Sequence, residues 1–211
     1  MSQPDTKIRI LNAAEQLFAK NGFHNTSMRA ITSEADVNLA AANYHFGSKE
    51  ALLQAVFERR LLPLNQERAE LVQLVITKAE ESSESPAVRD LMRAFIEPTL
   101  NFRVQDPANR AFTALIGRAM VEMDSTVRDC FIPLVEPLFK LLFSGLQRAL
   151  PETPPSTLLT RLQFALGSMA RTMCFQDQAP LSVDISATPT DSNDLAESLI
   201  SFVSAGLEGP C

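Results

Sequence analysis

Along the first sixty residues, apolar side chains recur at the three- and four-residue spacing of a helix rather than the alternation of a strand. Over 7–21, Ile8, Leu11, Ala14, Leu17 and Phe18 make one stripe, with Asp5 and Thr6 as candidate N-caps and Asn21-Gly22 as the stop. Thr26 and Ser27 begin a second, shorter helix whose apolar face is Met28, Ile31 and Ala35. A tight turn at Asp36-Val37 leads to a third helix that starts at Asn38 and closes at Gly47. Ser48 caps a fourth helix with Leu52, Leu53, Val56 and Phe57 inside, and Pro63 is expected to end it. Short helices joined by a turn of about three residues predict a helix-turn-helix unit. Its core would be Ile8, Leu11, Leu17, Phe18, Phe23, Met28, Ile31, Val37 and Phe46. So small a core is marginal alone, which predicts fusion to a larger body.

The rest of the chain continues in helical register. Helices are expected over 64–81, 87–104 (interrupted by Pro98), 107–123 with Pro107 in the first turn, 125–150, 156–176 and 191–206. Pro133 and Pro137 predict that 125–150 is kinked or split. ESSESP (81–86) is a polar break, PETPPS (151–156) a rigid linker and 179–190 a loop. The fold class expected is all-α: an N-terminal three-helix helix-turn-helix head over 1–48 and a larger C-terminal helical domain over 49–211.

Composition narrows this picture. In 211 residues, 45% are apolar, enough for a substantial core, while seven glycines and one tyrosine argue against a β-sandwich. The formal net charge is −6, which taken alone disfavours nucleic acid. The deficit is not in the head, because residues 1–50 balance Lys7, Arg9, Lys20, Arg29 and Lys49 against Asp5, Glu15, Glu34, Asp36 and Glu50. Cys130, Cys174 and Cys211 are far apart and read as reduced thiols. With no apolar leader and no uninterrupted apolar run approaching ~18 residues, the expectation is a soluble, cytoplasmic protein with no membrane partner. His24 and His45 lack nearby Cys or Asp partners, so no metal site is expected. There is no Gly-rich phosphate loop, GxSxG or HExxH, so neither catalytic residues nor a cofactor are expected and the chain is read as a non-enzyme.

The stretch ILNAAEQLFAKNGFHNTSMRAITSEADVNLAAANYHFGSKEALLQAVF (10–57) resembles the DNA-binding head of the TetR family of bacterial transcriptional regulators. The resemblance lies in Phe18-Ala-Lys-Asn-Gly22-Phe23, the Thr26-Ser27 helix start, the third helix ending in Tyr44-His45-Phe46, and Lys49-Glu50-Ala51-Leu52. VNLAAANYHFGSK looks most like a PsrA-like, fatty-acid-responsive subgroup. Many relatives carry Lys-Gly-Thr-Leu where this chain has Leu39-Ala40-Ala41-Ala42, so their base preference does not transfer. The resemblance implies a ligand-responsive regulator, a repressor released from a palindromic operator in double-stranded DNA. It also implies a homodimer, and makes 49–211 the effector-binding and dimerisation domain. The competing expectation is an all-helical protein-interaction adaptor.

On that reading the helix begun by Asn38 and Leu39 enters the major groove, which is about 12 Å wide and favours small leading residues such as Ala40 and Ala41. Asn43 can pair with adenine and Tyr44 can reach phosphates or base edges. Phe46 is expected in the core, while the resemblance turns Tyr44 and Asn43 from a core reading toward DNA. His45 is either packed inward or in contact with DNA. Thr26, Ser27 and Arg29 on the second helix, and Ser48 and Lys49 on the fourth, are candidates for phosphate contact, compatible with simple capping.

In the body, Phe95, Phe102, Phe112, Met120, Phe131, Met169 and Met173 suit an ordinary helical core. Proline-disturbed helices and adaptable methionines also suit a cavity for a small apolar effector, with a fatty acid or acyl-CoA favoured by the subgroup resemblance. Arg103, Arg110, Arg118 and Arg171 are candidate anion partners or surface ion pairs. The resemblance implies that the last two long helices pair with their copies across a two-fold axis. Phe164, Gly167, Ser168, Arg171, Leu195, Leu199 and Phe202 are the candidate interface.

Overall fold

The computed structural model describes residues 5–121, 125–175 and 192–210. Among them lie nine α-helices and no strand. The expected loop over 179–190, the end of the 107–123 helix and Cys211 fall outside the described residues.

Capping side chains delimit the head. In α1 (Thr6–Asn21), the Asp5 carboxylate accepts from Lys7 N at 3.2 Å, and Gly22 closes the helix at φ 80°. In α2 (Met28–Glu34), Ser27 Oγ accepts from Ala30 N at 3.1 Å, and in α3 (Leu39–Phe46), Asn38 Oδ1 accepts from Ala41 N at 2.8 Å. Asp36 makes the α2–α3 turn in the left-handed region at φ 51°. Arg9 fastens that turn to α1 by donating from Nε and Nη2 to Ala35 O at 2.9 and 2.6 Å, where the orphan carbonyls of α2 need a donor. Ile8 corrects the expected head core, for it is 47% exposed while Ile10, Ala14 and Phe18 are fully buried. Two residues turn a helix by about 200°, so Ile8 and Ile10 face opposite ways.

The fourth helix corrects the expected break. From its Ser48 cap, α4 (Lys49–Glu81) runs straight past Pro63. Pro63 and Leu62 are exposed, whereas Leu61, Leu64, Asn65 and Arg68 are buried. The carbonyl that loses its amide partner therefore lies on the watered face, where solvent replaces the bond. The same reason keeps α7 (Ser125–Ala149) in one piece, since Pro133 and Pro137 both face solvent. The remaining helices are α5 (Val88–Gln105, continuous through Pro98), α6 (Pro107–Val121), α8 (Pro155–Phe175) and α9 (Ser192–Glu208).

In the body, α4 packs on α5 and α7, α6 on α8, and α9 on α5 and α8. Helices α6 and α8 approach so closely that a Cβ at Gly117 would lie 2.7 Å from Cys174 Sγ and 2.9 Å from Ala170 O. Glu197 of α9 holds that helix to α5, accepting from Arg89 at 2.8 Å and from Arg93. These partners, Arg93 foremost, hold the Glu197 carboxyl below the usual carboxylate range. Arg161 of α8 donates to Leu207 O, Gly209 O and Pro210 O at 2.8–2.9 Å, closing the C-terminal end of α9.

The head is not a separate bead. Helix α1 packs on α4 and α6, and one apolar core runs without a break from Ile10 to Leu207. Glu15, 3% exposed, accepts from Arg60 Nη2 at 3.0 Å, from Arg60 Nε at 3.1 Å and from Arg59 Nη2. Arg59 Nη1 also donates to Asn12 Oδ1 at 2.8 Å. Removing one partner of a buried ionic cluster strands the others, and the half-open arginines moderate the penalty. Glu15→Ala should lower the unfolding free energy by about 2 kcal/mol in a urea titration.

Candidate nucleic-acid interface and ligand cavity

Helix α3 is two-faced. Ala42 is fully buried and Phe46 packs against the core, while Leu39, Ala40, Asn43 and Tyr44 point outward, Tyr44 87% exposed. Ala41 and His45 are half-buried between these faces, and the His45 ring meets Tyr44 edge-on at 5.3 Å. Asn38, Ser27, Arg29 and Ser48 are exposed, and all but Arg29 are N-caps.

Two expected phosphate contacts are built differently. Thr26 is 1% exposed, and its hydroxyl donates inward, to Gly22 O at 2.8 Å or Leu17 O at 3.1 Å. Ser27, one residue later, takes the cap because it follows the inward-turned loop. Lys49 turns back into the head, its Nζ donating to Phe23 O and Thr26 O at 3.0 Å and lying 4.2 Å from the centre of the Phe23 ring. It ties the first turn of α4 to the α1–α2 loop.

The join between α3 and α4 is two residues, Gly47 and the cap Ser48. Gly47 has φ 74° and ψ −59°, and Ser48 N donates across it to Phe46 O at 2.8 Å, the geometry of a γ-turn.

A cavity of about 650 Å³ lies among α4, α5, α6, α7 and α8. Of the candidate effector residues, Phe95, Met120, Phe131, Met169 and Met173 line it. Phe102 and Phe112 do not, which corrects that expectation: Phe112 is fully buried between Phe57 and Phe102, at ring distances of 6.4 and 6.3 Å, as core packing. None of Arg103, Arg110, Arg118 and Arg171 lines the cavity.

The cationic lining is instead Arg68 and Arg128, residues that periodicity alone did not single out. Arg68 is 6% exposed, donates from Nε to Phe95 O at 2.8 Å and from Nη1 to Asn65 Oδ1 at 3.2 Å, and stacks on the Phe95 ring at 3.8 Å. Burial pushes the guanidinium down to about 9. The signal was present in the sequence, for Arg68 sits in the same stripe as Leu61, Leu64, Val72 and Ile76.

Of the candidate pairing residues, Phe164 and Phe202 are 71% and 68% exposed, and Gly167 and Arg171 are exposed with them. Gly167 also borders the cavity. Ser168 is half-buried, its hydroxyl donating to Phe164 O at 3.1 Å, and Leu195 is half-buried. Leu199 corrects the expectation. It is 7% exposed within the chain's own core, because it shares the inward stripe of Ala196, Ile200 and Val203.

The family of bacterial regulatory proteins, tetR family, matches residues 10–56, and the tetracyclin repressor-like C-terminal domain matches residues 93–206. The chain belongs to the TetR family. Over 55 residues it is 49% identical to the HTH-type transcriptional regulator UidR of Escherichia coli K12, which is 26% of this chain and 28% of that protein. It is 43% identical over 49 residues to the probable HTH-type transcriptional regulator YttP of Bacillus subtilis, 23% of this chain and 24% of that one. The matched stretch thus spans about a quarter of the length of these curated relatives. A TetR-like transcriptional regulator from Rhodococcus sp. RHA1 superposes with a TM-score of 0.62 at 20% identity, covering 100% of both chains. HlyIIR, a hemolysin II transcriptional regulator, does so at 0.57 and 19% identity over 99% of this chain and 100% of its own. These two likenesses show the TetR fold. No helix among the described residues is long and apolar enough to cross a membrane.

The γ-turn that joins the two parts of this TetR-family chain gives a test. A Cβ at Gly47 would meet nothing within 4 Å, so any penalty there is conformational. Gly47→Ala should cost about 1–3 kcal/mol in a thermal melt.

Proposed function

We propose that this protein is a ligand-responsive, DNA-binding transcriptional regulator. It acts as a homodimer that represses from a palindromic operator and lets go when a small apolar effector fills the cavity. On this reading residues 1–48 are the DNA-binding domain and 49–211 the effector-binding and dimerisation domain. The observation that carries it is the outward face of α3, small at Ala40 and polar at Asn43 and Tyr44, beside the exposed caps of α2 and α4. Small residues admit the helix to the groove, and amide and phenol groups then read base edges or fix the backbone. The head's neutrality is no obstacle, since caps and one exposed arginine act over a few ångströms whereas net charge is screened.

A fatty acid or acyl-CoA is the effector class we favour, from the PsrA-like resemblance of 37–49 and the apolar wall of the cavity. The two heads of a dimer would sit on half-sites about 34–36 Å apart or a multiple of that. A protein-interaction adaptor is less well supported, because the relatives matched over the head are named as transcriptional regulators.

The purified protein should retard a fragment of its own promoter in a gel. Asn43→Ala combined with Tyr44→Ala should abolish this without moving the melting temperature, because both side chains are exposed. Log affinity should fall with log salt at ~0.9 for each phosphate met by a cation, a slope near −2 with Arg29 of each head engaged. A slope near zero would sink the proposal.

For the dimer, Phe164→Glu with Phe202→Glu should convert the protein to monomers in sedimentation velocity. Both rings are exposed in the single chain, so charge there opposes pairing and leaves the protomer's core intact.

A further inference from the structure

The cavity contains a cation that no described residue meets with an opposite charge. Arg68 is 6% exposed, yet among the described residues its acceptors are both neutral, Phe95 O and Asn65 Oδ1. These take two of the five N–H donors that a guanidinium presents, and no described residue accepts from Nη2. The contrast within this molecule is plain, for the buried carboxylate of Glu15 is met by two arginines. A buried charge without a partner is unfavourable, and natural cores match such charges unless the partner arrives from elsewhere.

A second observation points into the same space. Thr99, 1% exposed, lines the cavity one helical turn beyond Phe95, the ring on which Arg68 stacks, and its buried hydroxyl has no hydrogen-bond partner among the described residues. The acidic residue of the lining, Glu136, is half-exposed and pairs with Lys140 at 2.7 Å. Arg128 adds a further cation. The rest of the wall is largely aliphatic, aromatic and thioether.

We propose that the cavity selects an amphiphile with a free carboxylate, its head received by Arg68 and Thr99 and its apolar body by the phenylalanine and methionine wall. The inference rests on the reading of the cavity as the effector site and narrows it. Guanidinium and carboxylate match in a two-point geometry, and the threonine hydroxyl can donate to the remaining oxygen. A thioester carries no charge at its acyl end, so a CoA ester would leave Arg68 unmet and bring phosphates for which the lining offers Arg128 alone. The free acid is therefore the better guest. Arg68 and Thr99 become the residues that determine specificity.

The test is isothermal titration of the full-length protein with dodecanoate, dodecanol, dodecylamine and dodecanoyl-CoA. Dodecanoate should bind at least about tenfold tighter than each of the others, the ratio expected of one charge-assisted hydrogen bond. In Arg68→Met the ratio of dodecanoate to dodecanol affinity should collapse to about one, and in Thr99→Val it should fall severalfold. Arg68→Met should melt at or above the wild-type temperature without ligand, because it removes an unmatched buried charge, whereas a purely structural arginine would lower it. Equal binding of dodecanol and dodecanoate by the wild type would overturn the carboxylate inference and leave the apolar effector site standing. Failure of all four to bind would overturn both. If Arg68→Met does not fold, the inference falls unless Thr99→Val still weakens dodecanoate selectively.

Discussion

A helix of 33 residues, some 50 Å long at 1.5 Å per residue, is the member on which everything else in this chain is hung. Its continuity past Pro63 is favoured by one condition, that this proline faces water, where solvent meets the carbonyl it orphans. The register from the Ser48 cap meets that condition and puts Leu61, Leu64 and Arg68 inward. The head is fastened to the first turns of the same rod by Lys49 on the Phe23 and Thr26 carbonyls, and to its middle by Glu15 between Arg59 and Arg60. The cavity opens one to two turns further on. Head and cavity are thus two stations on one stiff element, and neither can turn about the rod without breaking polar contacts that are largely shielded from solvent.

The buried charges are handled in opposite ways, and the difference follows from what each must do. Glu15 is surrounded by its own chain's arginines and acts as a clamp, with Arg59 and Arg60 lending their stems to cover it. Arg68 is surrounded by a ring, a carbonyl, an amide and empty space. A charge kept for packing alone would be replaced profitably by a methionine or leucine, which is why its retention in a cavity wall carries information that a surface arginine does not.

Local chemistry made the head legible from sequence. Ser27, Asn38 and Ser48 cap as their residue types and positions suggest, and Asp5 and Gly22 bound α1. What sequence missed was decided by distant partners. Thr26 has the composition of a cap, but the loop from α1 turns its hydroxyl inward. Pro63 has the composition of a stop, but only the tertiary placement of α4 decides whether the freed carbonyl meets water. Leu199 and Phe202 lie three residues apart on one apolar helix, and packing against α5 and α8 alone divides them into core and surface. Arg68 was not singled out for a related reason: only the continuity of α4 past Pro63 carries the inward stripe of Leu61 and Leu64 on to it.

The geometry also limits how any occupant of the cavity can act on the head. A ligand shifts an equilibrium only by its difference in affinity between two states, so those states must differ at the cavity wall. Helix α7 supplies Phe131, Ile132 and Val135 to that wall, and from the same segment Cys130 Sγ reaches to 3.8 Å from Glu50 O in the first turn of α4. Four residues beyond Cys130, Leu134 O accepts from Asn65 Nδ2 at 2.9 Å, and Asn65 in turn accepts from Arg68. Movement of α7 against α4 therefore alters both the orientation of the buried guanidinium and the contact beside the γ-turn that carries α3. A carboxylate taken by the free donors of Arg68 would reorient the guanidinium and, through it, Asn65, whose amide bonds to α7. A guest that moved α7 against α4 would therefore act on the cavity wall and on the base of the head together.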